Sequence, residues 1–240
     1  MHLMAPRRLV AVLAFLNAAA AGASPFMMPE GTRELAVGAV LGSREEDEGG
    51  GKRAAYLMPY LDARWSNGVF LQGFTVGMQL SEAPGIGYGP LLTLGRERSA
   101  RPGRDTRLLP VFGAFVEYRL LHNLQLGVDT YRMAGSRGGT TMNLQLATHH
   151  SLAAQHTLVV GAGLRLADRR YLRAQLGAEP DASGGVKDSH VEGRWEWEPN
   201  PKYRVFVGFD ARRLHGAAAR GALVERRNSV GYSLMLLRSY

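Results

Sequence analysis

Leu109-Pro-Val-Phe-Gly-Ala-Phe-Val-Glu-Tyr-Arg-Leu120 decides the fold. Its even positions read Pro110, Phe112, Ala114, Val116, Tyr118 and Leu120, while the odd ones include Gly113, Glu117 and Arg119. A period of two sustained over such a stretch makes a β-strand with one apolar and one polar face. The same alternation continues downstream. Leu124, Leu126 and Val128 stand against Gln125, Gly127 and Asp129, and Met142, Leu144 and Leu146 against Asn143 and Gln145. Leu158, Val160, Ala162, Leu164 and Leu166 stand against Gly161, Gly163 and Arg165. Strands of soluble sheets usually run about 5–6 residues. These are about ten residues long, enough to cross a bilayer at a tilt. Charges recur in mid-strand on the polar face, as in Glu192-x-Arg194-x-Glu196. A membrane barrel puts such charges in a wet lumen and the apolar stripe in lipid.

The composition agrees. The chain has 240 residues, of which 45% are hydrophobic and 21% charged, with a mean hydropathy of −0.15. It has no cysteine, which excludes a disulfide framework, a thiolate zinc site, an iron–sulfur cluster and a cysteine nucleophile. Its 30 glycines exceed a usual share of about 7%. On the lumen parity of a small barrel, at Gly113, Gly127, Gly161 and Gly163, they relieve crowding and let strands bend. At the N-terminus, Arg7 and Arg8 precede the apolar run Leu9–Leu16, and the small-residue end Ala21-Gly22-Ala23 follows. That order reads as a secretory signal over 1–23, cleaved after Ala23, with the barrel over 24–240. The formal net charge of +8 falls by two with the signal.

Strands are expected at 33–41, 55–65, 69–80, 86–96, 109–120, 123–132, 139–150, 156–166, 187–198, 202–213 and 228–239. Bacterial barrels have even strand counts, with short turns on the periplasmic side and long loops outside. Long and short junctions alternate except around 69–80. A hidden outer reversal between Phe70 and Leu80, at Gly73 or Gly77, restores the order and gives twelve strands. Trp65, Trp195 and Trp197 all lie beside short junctions, as expected of aromatics at a lipid–water boundary.

Tyr56-Leu-Met-Pro-Tyr-Leu-Asp-Ala-Arg-Trp65 with Val69-Phe-Leu71 resembles the early hairpin of the MipA/OmpV outer-membrane family, and Gly87-Tyr-Gly-Pro-Leu-Leu92 that family's Leu-Gly-Pro strand. Phe112-Gly-Ala-Phe-Val-Glu-Tyr-Arg-Leu120 is the most specific match; Gly185-Val-Lys-Asp188 and Ser229–Tyr240 are similar too. The sequence departs from the pattern in its reduced Gly42-Ser43 stretch and in Arg238 near the terminal Tyr240. The resemblance implies a non-enzymatic barrel. It further implies a scaffold joining a murein lytic transglycosylase to a bifunctional penicillin-binding protein, while other members are surface antigens or adhesins, some of them linked to antibiotic response.

Catalytic and metal chemistry were both sought. His149-His150-Ser151 suggests a hydrolase, but the register turns His149 and Ser151 toward the lumen and no Asn partner lies nearby, so a polar strand end is the better reading. Asp188-x-His190-x-Glu192 spaces three ligand types along one strand face, yet Arg194 and Glu196 continue the row. A salt-bridged lumen ladder of Asp62, Arg64, Glu117, Arg119, Asp188, His190, Glu192, Arg194 and Glu196 is expected instead of a metal site. Gly161-Ala-Gly163 and Gly49-Gly-Gly-Lys52 lack phosphate-loop spacing, and no cofactor is expected. Among the outer-loop arginines, Arg98, Arg101, Arg104, Arg107, Arg226 and Arg227 are placed to bind lipopolysaccharide phosphates, with Arg96 and Arg220 beside them. Export makes nucleic acid an unsuitable partner despite the basic charge. The acidic run Arg44-Glu-Glu-Asp-Glu48 reads as a solvated loop. The expected function is an outer-membrane interaction platform; the alternatives are a narrow pore for small solutes and a surface adhesin.

Overall fold

The computed structural model describes residues 30–97, 107–135 and 138–240, so the expected signal segment 1–23 lies outside the described residues. The alternating sequence closes on itself as a twelve-stranded antiparallel barrel in which each strand pairs with its sequence neighbours and β12 returns to β1. The strands are β1 (Arg33–Glu45), β2 (Arg53–Trp65), β3 (Val69–Gln72), β4 (Thr75–Met78), β5 (Ile86–Glu97) and β6 (Arg107–Leu121). They continue as β7 (Leu124–Met133), β8 (Thr140–Ala153), β9 (His156–Ala167), β10 (Gly185–Asn200), β11 (Tyr203–Leu214) and β12 (Asn228–Ser239).

The expected hidden reversal falls at Gly73. There the stretch 69–80 becomes two four-residue strands, and Gly73 takes φ +58, a left-handed conformation that glycine reaches without steric cost. Elsewhere strands run past their expected limits at the loop end. The first strand continues to Glu45, and the tenth starts at Gly185.

Alternation sets the two faces. Leu57, Phe112, Val160, Val207, Leu234 and Leu236 are exposed around the outside, with Leu57 reaching 70%. A belt this apolar on an outer wall belongs in hydrocarbon. On the inner face Ala36, Val40, Tyr60, Phe206, Met235 and Leu237 are buried together. Phe70 packs edge-on against Phe115 at a centroid distance of 5.8 Å. Near the short turns, Trp195, Trp197 and His156 form a near-parallel stack, while Trp65 closes β2 beside its own short turn.

Glycine crowding holds at three of the four expected sites. A Cβ on Gly163 would meet the Leu144 carbonyl oxygen at 2.5 Å, and those on Gly113 and Gly161 would meet atoms at 2.6 and 3.0 Å. Gly127 differs, because its nearest neighbour would be 4.0 Å away. Parity places that residue in the lumen without pressing it against another strand.

The outer loops form a small second core. A helical turn α1 (Arg169–Tyr171) runs into a π-helical turn at Leu172–Leu176, and α2 (Gly216–Ala219) follows β11. Leu172, Leu176, Ala178, Leu214 and Ala218 are buried against one another with Ala167. The Leu223 and Ala222 amides donate to the Leu176 and Gly177 carbonyls at 3.1 and 3.0 Å, joining the two longest loops.

Candidate functional site

Under this loop core lies a group of buried charges in mutual contact. Between β1 and β2 the chain turns inward at Gly49, a buried glycine at φ +70 whose carbonyl accepts from the Glu225 and Arg226 amides at 2.7 and 3.1 Å. This places Glu48 inside the mouth of the barrel, where Lys187 Nζ donates to its Oε1 at 2.6 Å and the Tyr171 hydroxyl to its Oε2 at 3.1 Å. Arg212 approaches Glu48 at 3.6 Å. Lys187 is 2% exposed and reaches the fully buried Asp188 at 3.2 Å. Arg165 and His190 lie 3.7 and 3.6 Å from that same carboxylate. The acidic run 44–48 is therefore not simply a solvated loop. Its last residue is the centre of a clasp between the first loop, the loop after β9 and the wall.

Lys187 sits on the lipid-facing parity by simple alternation. A β-bulge between Val186 and Asp188 adds one residue to β10, so Lys187 and Asp188 both reach the interior. A cation on the parity of Val191, Trp195 and Trp197 was the available clue, since lysine on the lipid face is costly.

Burial pushes the Glu48 carboxyl up, but Lys187 and then Arg212 outweigh it and hold Glu48 below its ordinary value. Burial pushes the Tyr171 phenol well up, and the neighbouring Glu48 charge adds to that. At neutral pH the clasp is an ionised carboxylate beside a neutral phenol.

Below the clasp, part of the expected ladder appears. Glu192 accepts a hydrogen bond from Gln145, Glu196 pairs with Arg194, and Asp62 lies between Arg64 at 3.6 Å and Arg204 at 3.9 Å. Glu117 is half-buried in the lumen, whereas Arg119 is exposed toward the short-turn end. Among the described residues no group of three His, Asp or Glu side chains could hold a metal. A cavity of about 350 Å³ lies between clasp and ladder.

The other sequence candidates are scattered. His149 is half-buried on β8, and His150 contacts Thr148 at 3.1 Å. A different pair, Ser189 Oγ and His215 Nε2, meets at 2.8 Å and ties β10 to the start of the α2 loop. Arg226 and Arg227 are exposed at the loop end. Arg98, Arg101 and Arg104 lie outside the described residues, and Arg107 opens β6.

Comparison with known proteins bears on this geometry. The family model described as "MltA-interacting protein MipA" matches residues 37–239. None of the curated proteins matches. Among solved structures, the NanC porin is similar at 9% identity and a TM-score of 0.53, covering 83% of this chain and 98% of that one. The outer membrane channel DcaP of Acinetobacter baumannii is similar at 9% identity and a TM-score of 0.42, covering 90% and 100%. At 9% identity the likeness to the NanC porin is one of fold.

Proposed function

This chain belongs to the MltA-interacting protein MipA family, and we propose from that premise that it is a non-enzymatic outer-membrane scaffold. It holds a murein lytic transglycosylase, and with it a penicillin-binding protein, at the periplasmic face of the membrane. The observation that carries this reading is the family match, which spans the barrel from β1 to β12. The clasp, the ladder and the Tyr60–Phe206 cluster all lie inside the barrel, which favours binding over conduction. A partner on that side would meet the short turns, where Asn67, Glu82, Gln155 and Lys202 are exposed. On the opposite side Arg226 and Arg227 face the lipopolysaccharide headgroups and would bind their phosphates.

Cross-linking in cells followed by recovery of the barrel tests the scaffold. A lytic transglycosylase in the recovered material is expected, and recovery of no murein enzyme would refute the proposal. The cavity of about 350 Å³ keeps a second reading, a narrow solute pore, open to test. Planar-bilayer recordings separate the two, with no steady channel expected; reproducible open channels would favour the pore.

A further inference from the structure

The barrel wall is not of even height. β3 and β4 have four residues each, while their neighbours β2 and β5 have 13 and 12. Their ladder to β2 covers only Asp62, Ala63 and Arg64, and their ladder to β5 only Leu91 and Leu92. Beyond the hairpin tip at Gly73, the outer halves of β2 and β5 have no strand between them among the described residues. The rim runs from Leu61 to Arg53 on β2, roughly 27 Å of strand, and from Leu94 to Glu97 on β5, so the notch is deep on one side and shallow on the other.

Two hydrogen bonds show which backbone groups face this notch. The Gly73 amide donates to the Leu61 carbonyl at 2.7 Å, and the Leu80 amide to the Tyr88 carbonyl at 2.8 Å. In an antiparallel strand a residue's N–H and C=O leave by one edge, and the edge alternates along the chain. On this alternation the backbone groups of Ala55, Leu57 and Pro59 point at the gap from β2 and those of Leu94 from β5, while Leu61, Tyr88 and Leu92 are taken up by Gly73, Leu80 and Val76. Pro59 removes a donor from the β2 edge, a usual feature of edge strands. The remaining polar groups cannot face hydrocarbon without cost.

The notch meets the lumen cavity. Tyr56 on the β2 rim and Thr93 and Leu94 on the β5 rim all line it. Leu94, of lipid-facing parity and 39% exposed, lines it together with its lumen-facing neighbour Thr93, which puts the cavity at the edge of the notch. Its lining has two chemical characters, with Leu94 and Val111 at the β5–β6 side and the guanidinium of Arg44 over the Tyr56 ring at 5.6 Å. Ligand pockets run from about 300 to 1,000 Å³, and a cavity at the small end suits one chain.

We propose that the gap between β2 and β5 is a lateral portal through which a single-chain anionic amphiphile, a fatty acid, passes from the outer leaflet into the lumen. The acyl chain lies across Leu57 and Leu94, and the carboxylate pairs with Arg44. The portal needs the barrel and no murein partner, so a failed recovery of murein enzymes leaves it intact.

The cysteine-free chain allows a direct test. The barrel, held in amphipol, is titrated with cis-parinaric acid, whose fluorescence reports binding. Leu57→Cys labelled after folding with a bulky maleimide should lose at least tenfold in affinity, whereas the same label on Val160→Cys, on the far wall, should change nothing. Arg44→Gln should weaken binding of the acid and spare its methyl ester. Heat-modifiable gel mobility checks that each variant is folded. Absence of saturable binding, or equal loss from the label at either position, would overturn the portal.

Discussion

Glu48 Oε1 and Lys187 Nζ meet at 2.6 Å although 139 residues separate them in the chain. The contact fastens the first outer loop to the base of β10 and, through Tyr171, to the loop after β9. Two loop segments with their own apolar core are thereby anchored to the barrel wall.

Removing both partners should cost less than the two single removals added together. Glu48→Gln leaves Lys187 buried with Asp188 as its remaining close anion, and breaking a buried pair costs about 3–5 kcal/mol. A loss near the lower end is expected, read as a lowered unfolding temperature and faster proteolysis in 46–52. The double variant Glu48→Gln/Lys187→Met should lose less than the sum of the single variants, because no buried charge is stranded. Strict additivity would show that the pair is not coupled.

The clasp should also depend on pH. Glu48 has a depressed folded-state pKa, so its contribution is fully present above the unfolded carboxylate value. It is lost as pH falls through the lower folded value. Tyr171 has the opposite dependence on the alkaline side: its raised pKa holds the phenol neutral where the unfolded chain would ionise, so stability falls as pH rises above the ordinary tyrosine value. Proteolytic sensitivity of the first loop should rise at strongly acid pH, and Glu48→Gln should remove that acid-side change. An unchanged acid response in the variant would assign it to another group.

Gly163 and Gly127 share the lumen parity and should respond differently to alanine. At Gly163 the new Cβ would press on the Leu144 carbonyl and on the His190 ring at 2.7 Å, and overpacking of this kind costs about 1–3 kcal/mol. At Gly127 there is room. Denaturant unfolding in lipid should show a clear loss for Gly163→Ala and little for Gly127→Ala; equal losses would show that crowding is not why glycine stands at 163.

On the outside, Val207 lies near the middle of β11 and is exposed to lipid. Val207→Arg should cost about 2–4 kcal/mol, as expected for a cation near the bilayer midplane. A neutral result would place this wall out of the hydrocarbon.

Period-two alternation carried most of the barrel because lipid and lumen impose opposite polarity on successive residues. The reversal at Gly73 was also legible, since an even strand count and alternating junction lengths demanded it. The clasp was not. Glu48 looks like any acidic loop residue until the turn at Gly49 directs it inward, and Lys187 looks lipid-facing until the bulge shifts it. Both depend on tertiary placement between segments far apart in sequence. The loop arginines show the reverse difficulty, because Arg226 and Arg227 are exposed as expected but exposure alone names no ligand.

Site-specific photo-cross-linking in living cells tests the scaffold most directly. A photoreactive residue is placed at Asn67, Glu82, Gln155 or Lys202 on the short-turn face and, for comparison, at Arg226 on the loop face. The predicted result is a lytic transglycosylase cross-linked from the short-turn positions and absent from Arg226. Folded barrels that yield no murein enzyme from any short-turn position would contradict it.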